Sequence, residues 1–168
     1  MRYWIGLGSN LGERLETLRL AVDQLRPLGS DVLRSRVFAT SPVGGPAQPS
    51  FLNAAMSIDL ELEPRACLKH CQAIEANLGR DRATELRWGP RPIDLDILLA
   101  GAHGEEHVRL PELQIPHPLL AERAFALFPL VDLDPTLVHP VLGRPLSELL
   151  SALQQTGKDL VAPTGEKL

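Results

Sequence analysis

The chain carries little with which to grip nucleic acid or a membrane. Aromatic residues make up 4% of it and its formal net charge at pH 7 is -4, so it lacks both the stacking side chains and the global basic field of RNA-binding modules. No apolar run approaches the ~20 residues that cross a bilayer, and Met1-Arg2-Tyr3-Trp4 leads straight into a strand-like segment rather than a signal peptide. A cytoplasmic protein with no nucleic-acid or membrane partner is expected. Cysteine is scarce as well. Cys67 and Cys71 lie four apart in a helical pattern, a spacing that fits neither a redox Cys-x-x-Cys motif nor, without further ligands, a zinc site, so packing is their expected role. His103 and His107 sit in or beside a turn with no third ligand, which favours solvation over metal binding. There is no internal repeat, no low-complexity segment and no Gly-Lys-Ser/Thr. Gly6-Leu7-Gly8-Ser9-Asn10-Leu11-Gly12 spaces its glycines one residue longer than the dinucleotide fingerprint, so both the Rossmann and the P-loop readings are rejected.

What is present suits one domain over residues 1–168 with a single substantial core: 44% of the residues are hydrophobic and 23% charged. Tyr3 to Leu7 reads as a buried strand ending at Gly8. Ser9 or Asn10 is positioned to cap a helix whose apolar stripe is Leu11, Leu15, Leu18, Val22 and Leu25. Val32 to Thr40 reads as a second strand, and Ser41 to Pro49, with three prolines and two glycines, as a long exposed loop that could serve as a lid or binding wall. Phe51 to Leu62 reads as a long strand. Pro64 opens a second helix that Gly79 ends, with Gln72 and Glu75 on a stripe beside its apolar face. A short strand near His107 to Leu110, helices over Leu119 to Leu133 and Leu146 to Leu153, and a loosely ordered tail from Lys158 complete the chain. The order strand-helix-strand-strand-helix-strand predicts an α+β fold with a ferredoxin-like βαββαβ core.

The stretch richest in chemistry is Arg87-Trp88-Gly89-Pro90-Arg91-Pro92-Ile93-Asp94-Leu95-Asp96-Ile97-Leu98-Leu99. Glycine and proline block helix up to position 92, and the alternation Ile93, Leu95, Ile97, Leu99 has the period of a strand. Asp94 and Asp96 then share one face, with Cα atoms about 6 to 7 Å apart at a rise of roughly 3.3 Å per residue. Two carboxylates on one face call for positive charge. Arginines or a hard divalent cation such as Mg²⁺ would supply it; a solvated edge strand is the plainer alternative. Just upstream, Arg80, Arg82, Arg87 and Arg91 come with no lysine between them. Their planar forks suit phosphate, and arginines beside paired carboxylates are the layout of Mg²⁺-nucleotide phosphoryl transfer. The alternative is that they pair with Asp81 and Glu85 on a solvated loop.

Together, Arg87 to Leu99, Gly6 to Gly12, Phe51-Leu52-Asn53-Ala54-Ala55, Ile115-Pro116-His117-Pro118 and Arg123-Ala124-Phe125 closely resemble, in order and spacing, the 6-hydroxymethyl-7,8-dihydropterin pyrophosphokinases of folate biosynthesis. The resemblance spans roughly residues 2 to 150. It implies the same core with an additional C-terminal strand and helices, and an enzyme that moves diphosphate from ATP to the hydroxymethyl group of a reduced pterin and releases AMP. It implies that Asp94 and Asp96 hold two Mg²⁺ ions with ATP, and that Arg80 and Arg91 close on the transferring phosphates. Arg82, Arg87, His117 and Arg123 would surround the triphosphate and ribose, with Gln72, Glu75 and Trp88 on the nucleotide-side wall. Phe51 and Phe125 would sandwich the pterin, and Asn53 with backbone groups of Thr40 and Val43 would read its polar edge. Where other members often have tyrosine this chain has Phe51, and Pro118 follows His117; neither change removes a charge. A monomer is expected. A metal-dependent phosphohydrolase is the rival enzyme, separable by its product.

Overall fold

Alternating strand side chains decide which face of the central sheet is covered and which is left open. In the computed structural model, which describes residues 1–42, 45–86, 89–156 and 161–168, the first strand is β1 (Arg2–Ser9), followed by α1 (Arg14–Leu25), β2 (Gly29–Arg34), β3 (Arg36–Thr40), β4 (Phe51–Leu60), α2 (Pro64–Asn77) and β5 (Asp94–Ala100). Then come the hairpin β6 (Val108–Leu110) and β7 (Leu113–Ile115), α3 (Ala124–Leu133), β8 (Val138–His139), β9 (Arg144–Pro145), α4 (Leu146–Thr156) and β10 (Val161–Lys167). The main sheet runs β10-β3-β4-β1-β5, with β2 also on β4, and each of its pairings is antiparallel. Here β2 and β3 are one strand broken at Ser35, whose hydroxyl accepts the Ala55 N–H at 2.9 Å.

On one face Tyr3, Ile5 and Leu7 pack with Ala54, Met56 and Ile58 beneath Leu18 and Val22 of α1 and Cys67, Cys71 and Ile74 of α2. The cysteines are free and buried. On the other face Trp4, Ala55 and Leu98 lie under Leu127 and Leu130 of α3 and Leu149 and Leu150 of α4. That second layer stops short. Gly6 and Gly8 continue the Trp4 face of β1, pairing with Ala55 and Asn53 on one side and with Asp96 and Asp94 on the other. At this end the sheet forms the floor of a cavity, with Phe125 and Ala126 at the start of α3 on its wall. Among the described residues no helix is long and apolar enough to cross a membrane.

Four local expectations are corrected. The first strand runs on to Ser9 instead of ending at Gly8. The first helix is not capped by Ser9 or Asn10 and starts at Arg14, after Gly12 turns the chain at φ 63°; the Asn10 side chain is already bound to the loop at 48–49 and to Arg91. The stretch from Leu119 is a short 3-10 turn, Leu120–Glu122, that breaks at the extended backbone of Arg123 before α3 begins. The tail is not loose over residues 161–167, because backbone pairing of Val161, Ala162 and Pro163 with Thr40, Ala39 and Phe38 adds it to the sheet edge. Proline is tolerated on such an edge.

Candidate active site

The open end of the sheet floors a cavity of ≈ 690 Å³ with two chemically different ends. One end is neutral. Phe51 and Phe125 line it, half-buried, with Asn53 and Thr40. The Asn53 amide donates to the Thr40 hydroxyl at 2.7 Å, and both residues are buried on neighbouring strands. Gly8 matters here because a Cβ on it would meet Asn53 Oδ1 at 2.9 Å. The glycine both flattens the floor and leaves room for the amide.

The other end is ionic. Asp94 and Asp96 share the cavity face of β5, as their spacing predicted, and Arg82, Arg91 and Arg123 line the wall beside them. Asp94 accepts hydrogen bonds from Arg80 and, at 3.1 Å, from Arg91. Asp96 is less well neutralised: its nearest cation among the described residues, Arg123 Nη1, lies 3.7 Å away. Burial, seconded by the charge of Asp94, pushes the Asp96 carboxyl up to about 7 against the pull of Arg123. Arg123 also sits over the Phe125 ring, 5.5 Å from its centroid, so one side chain touches both ends of the cavity.

Behind the wall lies an ion-pair hub. Glu75 on α2 is 1% exposed; it accepts the Leu95 N–H of β5 at 2.8 Å, Arg80 at 2.6 Å and Arg82 at 2.5 Å. Arg80 is also gripped through Nε and Nη2 by Glu85, both at 2.9 Å. Desolvation works to depress the Arg80 guanidinium, but Glu85, Asp94 and Glu75 outweigh it and raise it above ordinary arginine. His117 packs behind the cavity, its Nδ1 accepting the Leu119 N–H at 3.1 Å; burial and the nearby Arg123 lower it to about 4, so it is neutral at physiological pH.

The expected residues therefore fall into three groups. Thr40, Phe51, Asn53, Arg82, Arg91, Asp94, Asp96, Arg123 and Phe125 all line one cavity. Arg80, Glu75 and His117 stand behind it, and Gln72 is exposed on α2. Val43, Arg87 and Trp88 lie outside the described residues. Sequence reasoning missed four participants. Asn10 joins the two loops that flank the cavity, donating to Gln48 and Pro49 and accepting the Arg91 N–H at 2.8 Å. Gly6 and Gly8 form the floor of the cavity, for which glycine inside a strand was the available signal. Glu85 was legible only as a generic partner for arginine.

Among the described residues no three His, Cys, Asp or Glu side chains converge on a protein-only metal cage. Asp94 and Asp96 nonetheless fit a hard cation whose remaining ligands come from water and phosphate, since Asp96 is a cavity-facing oxygen donor short of positive charge.

Comparison with known proteins shows the family. Residues 4–135, which include the whole cavity lining, match the profile of 7,8-dihydro-6-hydroxymethylpterin-pyrophosphokinase (HPPK). A Pseudomonas aeruginosa protein named 2-amino-4-hydroxy-6-hydroxymethyldihydropteridine pyrophosphokinase is 44% identical over 153 residues, 90% of this chain and 91% of its own length. A Methylorubrum extorquens protein of the same name is 43% identical over 162 residues, 95% of this chain and 98% of its own. Among solved structures, the wild-type Plasmodium falciparum HPPK-DHPS with STZ-DHP covers 94% of this chain at a TM-score of 0.73 and 14% identity. This chain spans only 44% of that longer protein, and the likeness speaks to fold alone. The chain belongs to the 7,8-dihydro-6-hydroxymethylpterin-pyrophosphokinase family.

Proposed function

We propose that the protein transfers diphosphate from MgATP to the hydroxymethyl group of 6-hydroxymethyl-7,8-dihydropterin, giving AMP and the pterin diphosphate for tetrahydrofolate synthesis. The observation that carries this is the single cavity with an aromatic, amide-lined end and an arginine-carboxylate end across a glycine floor. Strands in a sheet lie about 4.7 to 4.9 Å apart, and Asn53, Gly8 and Asp94 sit level on three adjacent strands. A pterin read by Asn53 and stacked between Phe51 and Phe125 thus has its hydroxymethyl arm within reach of whatever Asp94 and Asp96 bind. An Asn amide pairs with adjacent donors and acceptors on a pterin edge, and each ring contact adds about 0.5 to 1.5 kcal/mol beyond burial.

At the ionic end Arg91, Arg82 and Arg123 neutralise the triphosphate and fix the β-phosphorus in line with the attacking hydroxyl, which is most of what phosphoryl transfer asks of a protein. Arg80 strengthens its contact as charge develops on the transferring group. Asp94 and Asp96 would hold two Mg²⁺ ions, whose chemistry is to clamp entering and leaving oxygens and offset their charge. Neutral His117 and buried Glu75 orient this wall, and family membership suggests Gln72, Arg87 and Trp88 as further contacts to the nucleotide and Val43 as one to the pterin. We also read the sheet order as the split βαβ, ferredoxin-like arrangement, and the protein as a cytoplasmic monomer. Incubation with MgATP and the reduced pterin, followed by nucleotide identification, tests the proposal. AMP should rise in step with pterin diphosphate. ADP as the main product, or phosphate release without pterin, would refute it.

A further inference from the structure

We infer that Glu85 is a positioning residue that occupies the phosphate-gripping edge of Arg80 until nucleotide displaces it; this rests on the function proposed above. An arginine has five N–H donors. In Arg80, 4% of whose side chain is exposed, Nη1 serves Glu75 and Asp94, while Nε and Nη2 form a fork onto the two oxygens of Glu85, each at 2.9 Å. That fork is the geometry by which arginine takes a phosphate with two parallel hydrogen bonds. One N–H is left over, too few for a bidentate grip. For Arg80 to hold a phosphate, a carboxylate has to leave.

Glu75 cannot be the one, because it is 1% exposed and also holds Arg82 and the Leu95 N–H; stripping its partner would strand a buried charge. Asp94 is fixed in β5 and shared with Arg91. Glu85 is different on every count. Its side chain is 18% exposed and lines the cavity beside Arg82 and Leu86. Among the described residues it bonds to Arg80 alone. Its segment is tied by short turns, Ala83 N–H to Asp81 Oδ1 at 3.0 Å and Gly89 N–H to the Leu86 carbonyl at 2.9 Å, and not by a sheet. The Glu85 carboxylate therefore stands in for the ligand's anion, and nucleotide binding exchanges one anion for another on the same guanidinium. Two anions competing for one fork repel each other, so arrival of phosphate expels Glu85 and shifts the segment that carries Arg82.

The exchange has a sign that a fixed structural support lacks. With the full chain and no pterin, calorimetric titration with MgATP and with magnesium tripolyphosphate should give Glu85→Gln an affinity at least about fivefold higher than the parent, within the usual range of coupling between sites. The gain should shrink as salt rises. The ligand-free variant should melt at lower temperature, having lost a partner of Arg80, yet gain more from ligand than the parent does. Glu85→Ala should tighten binding in the same direction, which guards against an effect peculiar to the amide. Weaker or equal affinity in both variants overturns the proposal and makes Glu85 a simple brace, leaving the proposed function intact. A parent protein that binds neither probe overturns both.

Discussion

The two ends of the cavity are built on opposite plans. At the neutral end Thr40 and Asn53 are locked on adjacent strands of the sheet interior, and the edge strand β10 backs Thr40 through its pairing with Val161. At the ionic end the side chains come from a loop, an edge strand and a broken helix entry, joined by ion pairs. A neutral heteroaromatic ring is distinguished by where donors and acceptors stand, which rewards rigidity. A polyanion is held by summed charge, and charge can be held in reserve by internal partners until the ligand replaces them.

The sharpest way to break that comparison is to remove one charge from the ionic end while keeping shape. Asp94→Asn or Asp96→Asn should cut turnover at least ~10²-fold, about 2.7 kcal/mol, with the folded spectrum retained. Near-normal turnover in both would reduce the pair to partners for Arg80, Arg91 and Arg123.

A smaller effect should separate the ends by kinetic signature. Phe125→Ala at the neutral end should raise the KM for pterin with less change in kcat, the loss being roughly one stacking contact plus burial. Its counterpart is Arg80→Lys, not Arg80→Ala, because removing the cation altogether would take from buried Glu75 one of its two arginines and put the fold itself at stake. Lysine keeps the charge and loses the fork, so kcat should fall more than either KM. Reversed signatures would mean that the roles of the two ends are exchanged.

The same contrast explains what could be read from the sequence. Asp94 and Asp96 were legible as one-faced because strand periodicity is local, and Phe51, Asn53, Arg91, Arg123 and Phe125 were legible through motif spacing. The fate of Asn10 was not, since a helix cap and a bridge between loops 38 residues apart look the same in a local window. Gly6 read as part of a short strand and Gly8 as its end, because nothing local says that the strand will pass beneath a cavity. β10 gave no signal in its own residues, whose side chains are mostly exposed while the backbone makes the pairing; an additional C-terminal strand came from the resemblance alone. Arginine pairing with Glu85 was foreseen as a solvated contact; the structure buries the arginine and adds Glu75 and Asp94, which no spacing rule connects.

The smallest effect concerns pH, and here two groups at the ionic end act against each other. The Asp96 carboxyl, pushed up to about 7 by burial and Asp94, starts from an unfolded value near 3.9. The folded chain therefore keeps a proton that the unfolded chain has lost, and stability contributed by Asp96 declines as pH rises through that window. His117, lowered to about 4 by burial and Arg123, is neutral when folded but takes a proton when unfolded below about 6.5, so its contribution declines as pH falls through nearly the same window. The slopes oppose, so between about pH 4.5 and 6.5 the nucleotide-free protein should show a shallower stability profile than either group alone would give. Asp96→Asn removes one arm and should leave stability rising with pH. His117→Asn, whose side-chain oxygen can still accept the Leu119 N–H, removes the other and should tilt the profile downward with pH relative to the parent. His139, lowered by burial, and the carboxylates Asp59, Asp132, Glu105 and Glu112, lowered by arginine partners or backbone N–H groups, act alike in all three proteins and so drop out of the comparison. Denaturant unfolding across the window measures the slopes directly; parallel profiles for parent and both variants would show that neither group is perturbed in the folded chain.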